Sequence, residues 1–154
     1  MSDAYGAPKK TAADRGKKPE DEVRKYLKAY DERTHRFDWH RNYDAHTAGG
    51  RFQRQTGDFE FYMPGIHGVI EVKQVKHAFR VPHQNLNENS AGKLRKRQLA
   101  GGTIVILVHH SVTGKWRVSG FERFSVREGG SWDLSGLYEY HTCSAALDSI
   151  GVFV

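Results

Sequence analysis

The chain has 154 residues, with 24 Lys and Arg against 18 Asp and Glu, a formal net charge of +6, and 12% aromatic residues. That length and aromatic content predict one folded domain with a sizeable core and exclude a disordered chain. The single Cys143 excludes an intrachain disulfide and a cysteine-based zinc site, and no apolar run approaches the roughly 20 residues of a membrane-spanning helix.

The positive balance fits an anionic partner, nucleic acid being the commonest, although charge alone fits an ordinary basic protein too. The N-terminus, MSDAYGAPKKTAADRGKK, carries charge where a secretory signal needs an apolar stretch. A cytoplasmic protein in a reducing compartment is expected. Residues 1–17, small and polar, read as a flexible basic arm, suited to phosphates or simply solvated.

A first helix is predicted from Pro19, since proline suits the first turn and Glu20, Asp21 and Glu22 favour the positive end of the dipole. Val23, Tyr26, Leu27 and Tyr30 recur at helical spacing and mark its buried stripe, with Glu20 on the edge of that stripe. RFDWHRNY, Arg36 to Tyr43, reads as a strand, followed by a glycine-containing loop from Ala45 to Gln55 that carries Arg51 and Arg54. Trp39 and Phe52 suit base stacking, but core or loop-anchoring roles suit them better.

Asp58 to Met63 alternates, with Phe59, Phe61 and Met63 on one face and Asp58, Glu60 and Tyr62 on the other. Pro64 and Gly65 signal a turn, and His67 to Val75 is a second strand, so the two predict a hairpin. A helix is expected over Gln84 to Leu99, weakened at Gly92 and ended by Gly101 and Gly102. TIVILVH, Thr103 to His109, has the length and apolar continuity of a strand buried on both faces. Trp116 to Phe121 should pair beside it, and a short helix is expected over Ala145 to Ile150. Together these predict an α/β protein with a mixed sheet flanked by helices.

Within the apolar strand VIEVKQV, Glu71 and Lys73 sit two residues apart and so share a face. Alone, such a pair fits an exposed edge strand better than a site, since surface ion pairs are common and contribute little. Asp58 lies on the facing strand of the hairpin, and Glu20 can reach the same place from the helix edge. Carboxylates with one amine on otherwise apolar elements suit a hard cation, Mg2+ or Mn2+. Such an ion lowers the pKa of a bound water, which Lys73 would orient or whose product charge it would neutralise. Lys73, Lys76, Arg80, Lys93, Arg95, Lys96 and Arg97 follow against one acid, Glu88. This stretch fits phosphate engagement as well as a solvated helix face. The nine histidines lack metalloprotease spacing, and nucleophile-elbow and P-loop patterns are absent.

The run TGD (Thr56, Gly57, Asp58), followed thirteen residues after the aspartate by EVK (Glu71, Val72, Lys73), resembles the PD-(D/E)xK nuclease signature, with Gly57 in the place of the proline. Arg15, Gly16 and Glu20, and then Pro82, His83, Gln84 and Asn85, extend the resemblance to RecU-type Holliday junction resolvases over about residues 15 to 110. The resemblance implies a restriction-endonuclease-like fold and metal-dependent DNA hydrolysis. It makes Asp58, Glu71, Glu20 and the Val72 carbonyl metal ligands, Lys73 the catalytic lysine, and Gln84 a further site residue. It also implies a homodimer acting on DNA. Only Ala45 to Gln55 occupies the place of the long stalk of RecU proteins, so the chain is also similar to small VRR-type and phage junction-resolving endonucleases. Residues 18–154 would then form one nuclease domain, with a core to about 121 and an extension over 122–154. A fold of this kind that binds DNA without cutting it is the alternative.

Overall fold

A computed structural model of the chain describes residues 12–42, 56–76 and 79–154, with side chains of the first helix described from Pro19 onward. Helix α1 spans Ala12–Arg33, so it begins earlier than the sequence predicts and runs through Pro19. Pro19 forgoes one backbone bond to the preceding turn, a loss the helix absorbs because its following turns are packed. Residues 12–17 are therefore helical rather than part of an arm, while 1–11 lie outside the described residues. Val23, Tyr26, Leu27 and Tyr30 are buried, as their spacing predicts.

Strand β1 covers Asp38–Arg41, shorter than expected, after Arg36 takes a left-handed φ of 64° that interrupts extended backbone. Strands β2 (Phe59–Met63) and β3 (Ile66–Val75) form the predicted hairpin, with Phe59 opposite Ile70 and Met63 opposite Ile66. Pro64 and Gly65 make the two-residue turn, and Gly65 supplies the positive φ of 79° that its second position requires. Phe61 lies flat over Gly68 on the partner strand, where an added Cβ would come within 1.9 Å of the ring. Strand β4 (Arg80–Pro82) leads into a 3₁₀ turn, His83–Asn85. Helix α2 (Glu88–Leu99) starts only after Asn87, whose side chain accepts from the Ser90 N–H at 2.8 Å. The helix expected over Gln84 to Leu99 is thus a 3₁₀ turn followed by α2.

Strand β5 (Thr103–His110) lies parallel to β3 and antiparallel to β6 (Trp116–Ser119), giving one five-stranded sheet in the order β1-β2-β3-β5-β6. Its side chains alternate between two cores. Val105 and Leu107 join Phe59, Phe61, Ile70 and α1 on one face; Ile104, Ile106 and Val108 join Val69, Val75 and Leu94 of α2 on the other. The last thirty residues enter both cores. Strand β7 (Ser131–Asp133) pairs with β4 and buries Trp132, while α3 (Cys143–Asp148) packs Leu147 beside α1. Tyr26 donates to Asp148 Oδ1 at 2.5 Å, and Phe153 packs edge-on to Tyr26 and Tyr30. Among the described residues no helix is long and apolar enough to cross a membrane.

Candidate active site

Asp58 stands one residue before β2, on a turn pressed against β3. Gly57 precedes it with φ 73°, and a Cβ there would lie 2.3 Å from Val69 Cγ1 and 3.2 Å from the Ile70 carbonyl oxygen. The Asp58 N–H donates to the Ile70 carbonyl at 2.9 Å, and the Asn42 N–H donates to the Asp58 carbonyl at 2.7 Å. The buried Asn42 side chain also donates to the Thr56 and Gly57 carbonyls at 2.9 and 3.2 Å. These bonds fix the turn from both sides and so fix the backbone from which the carboxylate projects. Asp58 Oδ2 accepts from the Val72 N–H at 2.6 Å.

That bond brings the two halves of the sequence motif together. In an extended residue the N–H and C=O project to the same strand edge. Since β2 pairing begins at Phe59 opposite Ile70, the Val72 carbonyl also faces the Asp58 edge beyond the last rung. Glu71 and Lys73 project from one face of β3, and Lys73 Nζ lies 2.7 Å from Glu71 Oε1. Both are largely buried, with side-chain exposures of 11% and 21%. On the other face Ile70 is fully buried and Val72 is packed on the first core, which holds the strand rigid.

The electrostatics follow from this placement. Burial pushes the Asp58 carboxyl well above the usual range, the Glu71 charge pushes it further, and Glu20 adds to both. The Val72 N–H and Lys73 oppose the rise without cancelling it. Two carboxylates crowded together this way are the condition a divalent cation relieves. The donors present, Asp58, Glu71 and the Val72 carbonyl, are hard oxygens and fit Mg2+ or Mn2+. Glu20 is held differently from expectation: it is ion-paired with Arg41, whose guanidinium lies 5.9 Å from the Phe59 ring centre. Among the described residues no three His, Cys, Asp or Glu side chains stand together as a ready metal cage. Arg41 and Asn42 escape sequence reasoning because neither residue type nor spacing marks them; their roles arise only when β1 closes on β2.

Gln84 sits exposed in the 3₁₀ turn, and no hydrogen bond among the described residues ties it to the carboxylates. Of the cations expected to meet DNA, Arg51 and Arg54 lie outside the described residues. Lys76, Arg80, Arg95 and Lys96 are exposed, and Lys93 is half-buried on α2. Arg80 approaches Ser131 Oγ at 3.4 Å, and Arg95 donates to the Ser125 carbonyl at 3.1 Å.

Arg97 differs from its expected place in a phosphate-binding run. It turns inward onto Glu60, which lies on the β2 face opposite Phe59 and Phe61 and is buried. Glu60 accepts from or pairs with Arg97, His40 at 2.8 Å and His67 at 3.6 Å. A carboxylate under a helix end needs such partners, and Arg97 in the last turn of α2 is the cation within reach. Trp39 packs on the first core, the role the sequence favours for it over base stacking. Phe52 lies outside the described residues.

No family model matches the chain, and no curated protein matches it. Among solved structures it is similar to Hjc of Archaeoglobus fulgidus, a Holliday junction resolvase from an archaeal hyperthermophile, with a TM-score of 0.54 and 16% identity over 77% of this chain and 87% of that one. At that identity the likeness speaks for the fold alone: a restriction-endonuclease-like mixed sheet flanked by helices, as the sequence predicts.

Proposed function

We propose that the chain is a metal-dependent endodeoxyribonuclease that hydrolyses phosphodiester bonds in branched DNA, with four-way junctions the preferred substrate. The observation that carries this reading is the juxtaposition of Asp58, Glu71 and Lys73, tied together by the Val72 N–H on Asp58 and the 2.7 Å Glu71–Lys73 pair. Asp58, Glu71 and the Val72 carbonyl would hold Mg2+, for which Mn2+ should substitute. The bound ion supplies Lewis acidity and a lowered pKa for the attacking water. Glu71 holds the Lys73 ammonium in place, and Lys73 donates to the water or to a phosphate oxygen as negative charge grows there. Asn42 and the Gly57 turn keep Asp58 in position throughout. Lys76, Arg80, Arg95 and Lys96 would engage flanking phosphates. Cutting paired strands of a junction calls for two such sites, hence a homodimer.

The engagement of Glu20 by Arg41 favours a second reading, a nuclease fold that binds DNA without cutting it. One experiment separates the two. The protein is incubated with four-way, flapped and linear duplex DNA in magnesium, manganese or EDTA, beside Lys73→Ala. Metal-dependent cleavage lost in Lys73→Ala is expected. DNA binding with no cleavage in either metal would establish the second reading, and full activity in Lys73→Ala would overturn the site.

A further inference from the structure

The register of the sheet carries the Lys73 face to a place the sequence motif does not reach. Lys73 pairs with Val108, and Val108 pairs with Arg117. Side chains at directly paired positions share a face. Arg117 therefore projects on the Lys73 side, two strands away, about 10 Å backbone to backbone. It is a buried arginine, 3% exposed. Its guanidinium donates to the Leu134 carbonyl at 2.6 Å and to Glu139 Oε1 at 2.8 Å. Its Nε has no hydrogen-bond partner among the described residues. Its guanidinium also meets the ring of Phe79, whose centre lies 5.2 Å from Arg117 Cζ.

Phe79 is fixed at its backbone as well, where its carbonyl accepts from the Leu134 N–H at 2.7 Å. Yet the residue is 55% exposed, while Val81 and Trp132 beside it are buried. A lone exposed phenylalanine is ordinary. This one differs because a buried, doubly hydrogen-bonded cation supports it on the same face as Lys73. Exposed cations, Lys76 and Arg80, flank it in the chain. An apolar ring between cations suits a partner that is anionic and aromatic at once, which describes nucleic acid.

We propose that Phe79 is a stacking platform for an unstacked nucleobase at a DNA branch point, with Arg117 as its positioning residue. This rests on the nuclease reading for the placement of the cut beside the platform, but not for the binding itself. Bases inside a duplex are already stacked and paired, so a ring of this kind gains only where a base is free to leave the helix. Phe79 would then contribute the preference for branched over linear DNA, which the metal site by itself does not supply.

The test uses a four-way junction with 2-aminopurine at the branch point, and a linear duplex with the same base at its centre, both in EDTA so that no strand is cut. Wild-type protein should change the fluorescence of the junction probe and leave the duplex probe unaltered. Phe79→Ala should lose that change and bind the junction about 5- to 150-fold more weakly, the range for removing one stacked base. Its affinity for linear duplex and its thermal unfolding should match wild type, and Phe79→Trp should restore the signal. Unchanged fluorescence and junction affinity in Phe79→Ala would overturn the platform, whether or not the protein cuts DNA in magnesium. A Phe79-dependent signal in a protein that cuts nothing would keep the platform and overturn the nuclease reading. Absence of DNA binding would overturn both.

Discussion

Substituting Gly57 by alanine tests whether the turn before Asp58 is held as closely as its geometry states. Two costs add. The backbone φ of 73° is left-handed, which disfavours a residue with a Cβ by about 1–2 kcal/mol. The new Cβ would also lie 2.3 Å from Val69 Cγ1, well inside contact distance. Val69 cannot retreat easily: it is fully buried, β-branched and set in β3. Overpacking of this kind typically costs about 1–3 kcal/mol. Alanine also restricts the unfolded chain, which returns about 0.4–1 kcal/mol. The net is a loss of about 1–5 kcal/mol, or a fall in Tm of about 2–20 °C. Because Asp58 is the next residue, a displacement of about 1 Å there should lower cleavage about 100-fold. Gly57→Pro should be worse, since proline requires φ near about −65°. Urea and thermal unfolding, with cleavage measured in magnesium, check both. Gly57→Ala within about 0.5 kcal/mol of wild type would refute the close turn.

The buried carboxylates give two further predictions of opposite sign. In metal-free protein, burial and then the Glu71 charge raise the Asp58 carboxyl, so the folded state keeps a proton that the unfolded chain has released. Stability should therefore fall as pH rises from the ordinary value near 3.8 through the raised one, and Asp58→Asn should abolish that slope. Parallel stability curves for the two proteins in EDTA would contradict this. Burial also acts to raise Glu60, but Arg97 and then His40 outweigh it and hold the carboxyl below its ordinary value near 4.5. Its contribution is thus complete above that value and lost as pH falls through the lowered one. Glu60→Ala should destabilise the protein by about 2–3 kcal/mol, below the range for a fully buried pair because Arg97 retains access to water. A double-mutant cycle with Arg97→Met measures the pair, and a coupling under about 0.5 kcal/mol would sink the assignment.

Much of the site is legible in the residues themselves. Alternation places Glu71 and Lys73 on one face and Ile70 and Val72 on the other. The proline–glycine turn sets the register that brings Asp58 opposite that strand. These are local relations, governed by the two-residue period of a strand and the geometry of a short turn. The same local rule leaves the burial of Glu60 open. Alternation says which face a residue takes, not whether a helix will cover that face, and α2 ends where Arg97 can reach Glu60. Glu20 is likewise on the expected helix edge, but its partner Arg41 comes from a strand whose position the helix pattern does not contain.

The sequence alone determined the hairpin, the doubly buried strand and the grouping of Asp58, Glu71 and Lys73, because each depends on side-chain period or turn chemistry over a few residues. Only the tertiary structure decided what surrounds that group. Parallel pairing of β3 with β5 sets Arg117 on the Lys73 face, and the β4–β7 pair brings residues fifty positions apart into one small sheet that fixes Phe79 beside it. Such contacts depend on which strands meet across the whole chain, and that is settled by how both faces of the sheet bury their apolar side chains together.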